Sequence, residues 1–286
     1  MNRLVTVEQY LRARAEHDSD VERRFLFGLR MRNGLFKGTH ERRLDDTTAL
    51  LQPWAKALPF RPLTVLDVGC STGISTLELH NDLMAHGLDC RTTGMDLEFE
   101  LRSAPCSEGV NILYDLQGRP LQVDIGNWAM SWKMPPGKKD IVCHPRKVLR
   151  ALWTLYTLKR TRDQHSESMG RGNEVRTVPL IDRRALGIPG LKFAQGDILR
   201  PNDKETYCII RAVNVLNRTV LDRKTLDSML EGLKQRLCDG GLLLLGRACP
   251  SGSGNDAALY QKQGNRYNRM GSINGGSELD DSIVEG

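Results

Sequence analysis

The run Leu63-Thr64-Val65-Leu66-Asp67-Val68, followed by Gly69-Cys70-Ser71-Thr72-Gly73, constrains the fold more than any other part of this chain. An apolar, β-branched stretch ending in an acid reads as a strand buried on both faces of a sheet. The glycines that follow let the backbone turn sharply and pass close to a ligand where a side chain would collide. Ile74-Ser75-Thr76-Leu77-Glu78-Leu79 then opens a helix. A strand, a glycine turn and a helix N-terminus make a polar-ligand site at the carboxyl end of a sheet, which sets the chain in the α/β class.

Later segments repeat the strand pattern. Cys90 to Asp96 ends in a carboxylate, and Leu191 to Gln195 leads into Gly196-Asp197-Ile198-Leu199. Tyr207 to Asn217 is a fourth apolar run, a helix is expected from about Asp222 to Cys238, and Asp239-Gly240-Gly241 introduces a fifth strand, Leu242 to Arg247. Ala257 to Lys262 and Tyr267 to Ile273, joined by a turn at Gly264-Asn265, read as an antiparallel pair. The dinucleotide fingerprint would need glycines at the third and sixth positions of the first loop, where Ser71 and Ile74 stand.

Three acids at three successive strand ends, in this order, resemble the motifs of class I S-adenosylmethionine-dependent methyltransferases, over about residues 63–96 and 191–273. The resemblance implies a doubly wound, seven-stranded, mostly parallel sheet with a reversed C-terminal strand pair. It implies S-adenosylmethionine as cofactor and S-adenosylhomocysteine as product. Asp67, Gly69, Cys70, Ser71 and Gly73 would hold the cofactor at the first turn, Asp96 and Leu97 the ribose, Asp197 the adenine amine and Ile198 the ring. Asn214 falls where such enzymes face the transferred methyl, so Asn214, Asn217 and His40 are the candidates on the reaction side; no residue identifies a general base. His144 and His165 are further candidates only by their chemistry. The chain lacks an Asp/Asn-Pro-Pro-Tyr/Phe segment after the fourth strand, which argues against an adenine or glutamine amine methylase.

Residues 1–60 are expected to form a helical cap, with helices beginning at Thr6, Asp20 and Asp45, and Tyr10, His40 and Arg43 as its polar residues. Residues 61–286 are expected to form the catalytic domain, interrupted between strands two and three by an insertion at 97–189. The insertion should hold a β-hairpin over Val110 to Ile125 and a basic amphipathic helix within 141–162, acting as a substrate lid. Residues 101–190 hold 15 Lys/Arg against 8 Asp/Glu, whereas the whole chain carries +6, so the basicity is local to the insertion. Such a helix can pack on the core, meet an anionic membrane surface or grip an anionic partner; without stacking aromatics spread over a basic surface, nucleic acid is disfavoured.

Seven scattered cysteines without a Cys-x-x-Cys pair suggest reduced thiols, no metal site and a cytoplasmic home, with contact at the inner face of a membrane left open. No run of eighteen apolar residues occurs. The expected activity is methyl transfer to an oxygen, nitrogen or carboxylate of a small-molecule acceptor, apolar or membrane-associated. The alternatives are a non-catalytic S-adenosylmethionine-binding protein and a peripheral membrane scaffold reusing the fold.

Overall fold

The computed structural model describes residues 4–31, 34, 36–132, 175–200, 205–249, 252 and 254–284. They fall into two compact units, Thr39–Phe99 with Ile181–Gly286, and Met1–Gly38 with Glu100–Leu180. The proposed basic helix at 141–162, with His144 and His165, lies outside the described residues.

The first unit contains α3 (Asp45–Ala57), β1 (Leu63–Val68), α4 (Ile74–Ala85), β2 (Cys90–Asp96), β8 (Leu191–Gln195), β9 (Tyr207–Val213), α5 (Arg223–Arg236), β10 (Leu237–Ala248), β11 (Asn255–Gln263), β12 (Arg266–Ile273) and α6 (Asp280–Val284). Its seven strands lie in the order β12-β11-β10-β9-β1-β2-β8. β8, β2, β1, β9 and β10 are parallel; β11 runs against β10, and β12 against β11. Alternation sends Leu63, Val65, Ile209 and Leu244 to one face beneath Leu51 of α3 and Leu79 and Leu83 of α4. It sends Leu66, Ile210, Leu243 and Leu245 to the other, beneath Leu226, Met229 and Leu233 of α5. With helices on both faces, the sheet is doubly wound.

Two local differences from the sequence reading have plain causes. Asp222 caps α5, its carboxylate accepting the Thr225 amide, so the helix proper starts at Arg223. The fifth strand begins at Leu237 rather than Leu242, because the chain pairs with Tyr207 at once and absorbs Cys238-Asp239-Gly240-Gly241 as a break in register.

In the second unit, β3 (Glu100–Ser107), β4 (Val110–Tyr114), β5 (Pro120–Ile125), β6 (Trp128–Ser131) and β7 (Arg176–Pro179) form an antiparallel sheet in the order β6-β5-β4-β3-β7. The expected hairpin is present as β4 and β5. α1 (Val7–Glu16) and α2 (Ser19–Gly28) belong to this unit, so the division near the N-terminus falls at residue 38 rather than 60. Thr6 and Gln9 make a reciprocal capping box at α1, and Asp18 caps α2. Tyr10, Phe25, Leu26 and Leu29 pack with Leu101, Leu113, Leu121 and Val178 of the sheet. Asp124, buried on β5, accepts the Val7 amide at 2.7 Å, and the buried Gln122 amide donates to Val5 O at 3.0 Å. Burial raises the Asp124 pKa, and the bonds from Val7 and Gln122 oppose the shift.

Candidate functional site

The first unit's chain runs outward through β1, β2 and β8, then returns to the other side of β1 as β9. The strand order therefore reverses between β1 and β9, and at such a point the loops leaving the strands diverge and open a crevice beyond their carboxyl ends. The turn from β1 is wound with left-handed residues at Gly69 (φ +70°), Ser71 (φ +57°) and Gly73 (φ +83°). Only a chain with glycine at most of these positions adopts that turn without steric cost. Its amides are anchored to the end of β2: Gly69 N and Cys70 N donate to Met95 O at 2.7 and 3.1 Å, and Ser71 N donates to Asp96 Oδ2 at 2.7 Å. The first turn and the Asp96 carboxylate are thus one hydrogen-bonded assembly.

Asp67 has a different task from the one expected. It stands opposite Arg211 in the β1–β9 register, and Arg211 Nε and Nη2 donate to its two carboxylate oxygens, each at 2.8 Å. Arg211 Nη2 also donates to Ser75 O at 2.7 Å, and the Thr76 hydroxyl donates to Asp67 Oδ2 at 2.6 Å. Asp67 and Arg211 are 3% and 0% exposed. The pair ties β1, β9 and the first turn of α4 together under the glycine turn, and its carboxylate is committed to the protein interior.

At the end of β9, Asn214 is left-handed (φ +63°). Its Oδ1 accepts Ala248 N at 2.7 Å and its amide donates to Gly246 O at 2.9 Å, clamping the ends of β9 and β10 together. Those bonds fix the orientation of the side-chain amide, whose Nδ2 is buried and has no hydrogen-bond partner among the described residues. A buried donor left unpaired costs about 1–3 kcal/mol, a cost that an acceptor atom of a ligand would remove.

The remaining candidates are distributed more widely. Asp197 Oδ1 accepts Leu199 N at 2.9 Å and so shapes the turn after β8. Ile198 is buried in the core with Leu226 and Met229 of α5, its carbonyl 2.6 Å from where a Cβ on Gly232 would lie, so its side chain is packed in the interior rather than presented to a ring. Asn217 Oδ1 holds the Thr219 amide and hydroxyl at 2.8 and 2.7 Å, a local turn. Cys70 is buried, Leu97 is 62% exposed, and His40 is exposed in the coil before α3. Arg43 offers its carbonyl to Asn255 Nδ2 at 2.8 Å; burial, and then the charge of Arg211, lower its pKa. Among the described residues no group of His, Cys, Asp or Glu is arranged to hold a metal ion, and no helix is long and apolar enough to cross a membrane.

Three residues that shape the site were missed by the sequence reading. Arg211 carried a signal, a cation inside Ile209-Ile210-Arg211-Ala212-Val213 at the depth of the acid in β1. Phe193 and Val215 carried none. A Cβ on Gly73 would lie 2.6 Å from the Phe193 ring, and one on Gly69 would lie 2.4 Å from Val215 Cγ2, so these two apolar side chains cover the glycine turn. The polar groups fit a nucleoside-type ligand, with Asp96 as acceptor and Asn214 Nδ2 as donor, whereas the space against the glycines is filled by protein.

No family model matches the chain, and neither does any curated protein. Among solved structures, the chain is similar to the N-methyltransferase NodS from Bradyrhizobium japonicum in complex with S-adenosylhomocysteine, at 15% identity and a TM-score of 0.33, over 74% of this chain and 65% of that one. It is similar to CalS10, an amino pentose methyltransferase from Micromonospora echinaspora, at 12% identity and a TM-score of 0.34, over 83% and 79%. A third is the plantazolicin methyltransferase BpumL, at 12% identity and a TM-score of 0.34, over 72% of this chain and 46% of that one. The chain thus spans less than two thirds of the length of NodS and under half of BpumL.

Proposed function

We propose that the crevice at the carboxyl ends of β1, β2 and β9 binds S-adenosylmethionine and that the chain transfers its methyl group to a small-molecule acceptor. The observation that carries this reading is the buried Asn214 Nδ2, without a partner among the described residues and held in a left-handed residue beside the point where the strand order reverses. When bound, S-adenosylmethionine supplies a methyl group on a positively charged sulfur, an already activated leaving group. The protein's share is then alignment and the exclusion of water. Asp96, at the end of β2, accepts hydrogen bonds from ribose hydroxyls, and the Ser71 amide bound to it keeps the carboxylate in place. Asn214 Nδ2 donates to an oxygen of the ligand, and the Ala248 amide holds its other end. An acceptor that is a carboxylate or a neutral amine needs no strong base, in keeping with a crevice edged by amides and a carboxylate.

Phe193 and Val215 favour a second reading, in which the fold is kept without the cofactor, because both occupy space against the glycine turn. Calorimetric titration of S-adenosylmethionine and S-adenosylhomocysteine separates the two. Binding by the wild type that is lost in a folded Asp96→Ala variant supports the methyltransferase and warrants a screen of acceptors with labelled methyl donor. Absence of binding by folded wild type supports the second reading.

A further inference from the structure

At the opposite end of the sheet from the crevice, two cysteines meet. Leu237 pairs with Tyr207 where β10 joins β9; the register then breaks, and Cys238 and Cys208 are the residues that follow this pair on the two strands. A Cβ on Gly241 would lie 2.9 Å from the Cys238 carbonyl and 3.0 Å from the Cys208 carbonyl, which confirms how closely the two backbones run. Both side chains lie in the same core cluster, where the two sulfurs interact. From the other side, Thr64 of β1 surrounds the same sulfur: its amide donates at 3.0 Å, its hydroxyl lies at 3.1 Å, and that hydroxyl in turn accepts the Cys208 amide at 3.1 Å. Cys208 is buried, whereas Cys238 is partly exposed.

From this geometry we propose that Cys208 and Cys238 form a peroxide-reactive dithiol, in which Cys208 is the attacking sulfur, Cys238 the resolving one, and Thr64 the positioning residue. Donors aimed at a sulfur favour its thiolate, the nucleophilic form. The interaction with Cys238 and then the bonds from Thr64 hold the Cys208 pKa below the ordinary cysteine value, against the opposing effect of burial. A thiol held below the ordinary cysteine range is more ionised at neutral pH than a free cysteine. Cys238, its pKa raised by that interaction and by burial, keeps its proton, and the nearby Lys262 ammonium only partly opposes this. Cys90 is the internal contrast: beside His80 and Thr92, it is buried with its pKa raised, which leaves it inert.

The reaction balances with a hydroperoxide as oxidant. The Cys208 thiolate attacks one peroxide oxygen, the O–O bond breaks, and Cys208 becomes a sulfenic acid as hydroxide leaves. That hydroxide takes the Cys238 proton and becomes water. The Cys238 thiolate then attacks the Cys208 sulfur, the S–S bond forms, and the sulfenic oxygen leaves as a second hydroxide, which takes a solvent proton in place of the one lost from Cys208 when it ionised. Overall, two thiols and one peroxide give one disulfide and two waters.

The test is mass mapping of the full chain after hydrogen peroxide treatment under non-reducing conditions, across pH. The expected result is a linked Cys208–Cys238 peptide pair that forms with a pH midpoint below that of an ordinary cysteine, while Cys90 stays reduced. Cys238→Ser should instead accumulate a sulfenic acid on Cys208 that dimedone captures, and Cys208→Ser should leave Cys238 unmodified. Thr64→Val should slow oxidation about tenfold at pH 7 and move the midpoint upward, with Thr64→Ser restoring both; a packing role alone would not shift the pH midpoint. A wild type that forms no Cys208–Cys238 link, or oxidises Cys90 as fast as Cys208, overturns the proposal. So does a Thr64→Val chain with an unchanged pH midpoint.

Discussion

Replacing Arg211 by Met removes the cation that neutralises Asp67 in a site closed to water. The side chain makes three hydrogen bonds of 2.7–2.8 Å, two to Asp67 and one to Ser75 O. Breaking a buried pair from one side costs about 3–5 kcal/mol, because the surviving charge loses its partner without regaining solvent. The Thr76 hydroxyl at 2.6 Å softens this only slightly, as one neutral donor. With a urea m-value of about 2 kcal/mol per M, the unfolding midpoint should fall by about 2 M. The double variant Asp67→Leu/Arg211→Met removes both charges and should recover most of that loss, ending within about 1–2 kcal/mol of wild type, since apolar replacement of a whole buried pair is often neutral. Thr76 can then turn its hydroxyl back to the carbonyl one turn earlier. Urea unfolding of the wild type, both single variants and the double variant closes the cycle. The reasoning fails if Arg211→Met costs less than about 1 kcal/mol, or if the double variant is as unstable as the sum of the singles. The same double variant should retain cofactor binding, because Asp67 faces the interior.

Ser71→Gly should stabilise the chain by under about 1 kcal/mol by relieving the left-handed side chain, and Ser71→Val should destabilise it by more than that; thermal unfolding reads both. Asn214→Gly keeps the φ but removes the bond to Ala248, so a loss of about 1 kcal/mol is expected, rising to about 2 kcal/mol in Asn214→Ala, with calorimetry showing weakened S-adenosylmethionine binding in each. Burial lowers the His80 pKa below its ordinary 6.5, with a bond to the Pro189 backbone partly opposing. The unfolded chain therefore protonates first, so this residue's stabilising contribution is present above pH 6.5 and is lost as pH falls through the folded value. A urea series from pH 8 to 5 should show a decline that is shallower in His80→Gln.

The parallel sheet was legible because burial on both faces writes itself as unbroken apolar runs, and β1, β2, β8 and β9 fall where those runs stand. The turn at Gly69 to Gly73 and its neighbour Asp96 were legible because backbone conformation and strand ends are local properties. Asp67 was misread for the complementary reason. An acid at a strand end carries the same letter whether it meets a ligand or an arginine, and only the β1–β9 register brings Arg211 opposite it. Phe193 and Val215 were silent because which side chain covers a glycine turn depends on strand order and twist, not on any residue near that turn. The residue 38 boundary was likewise hidden, since α1 and α2 finish their core with strands from beyond Glu100.

That long-range arrangement has a consequence for the chain as it is made. α1 is tied to β5 by the bonds from Val7 to Asp124 and from Gln122 to Val5, each joining residues 117 positions apart. At about 5–20 residues per second, the ribosome delivers β5 roughly 6–23 s after the helix that needs it. Throughout that interval Phe25, Leu26 and Leu29, fully covered in the finished unit, have no sheet to pack on. α1 and α2 therefore leave this apolar surface uncovered for as long as translation takes to reach the hairpin, and slow codons between residues 38 and 120 lengthen the exposure.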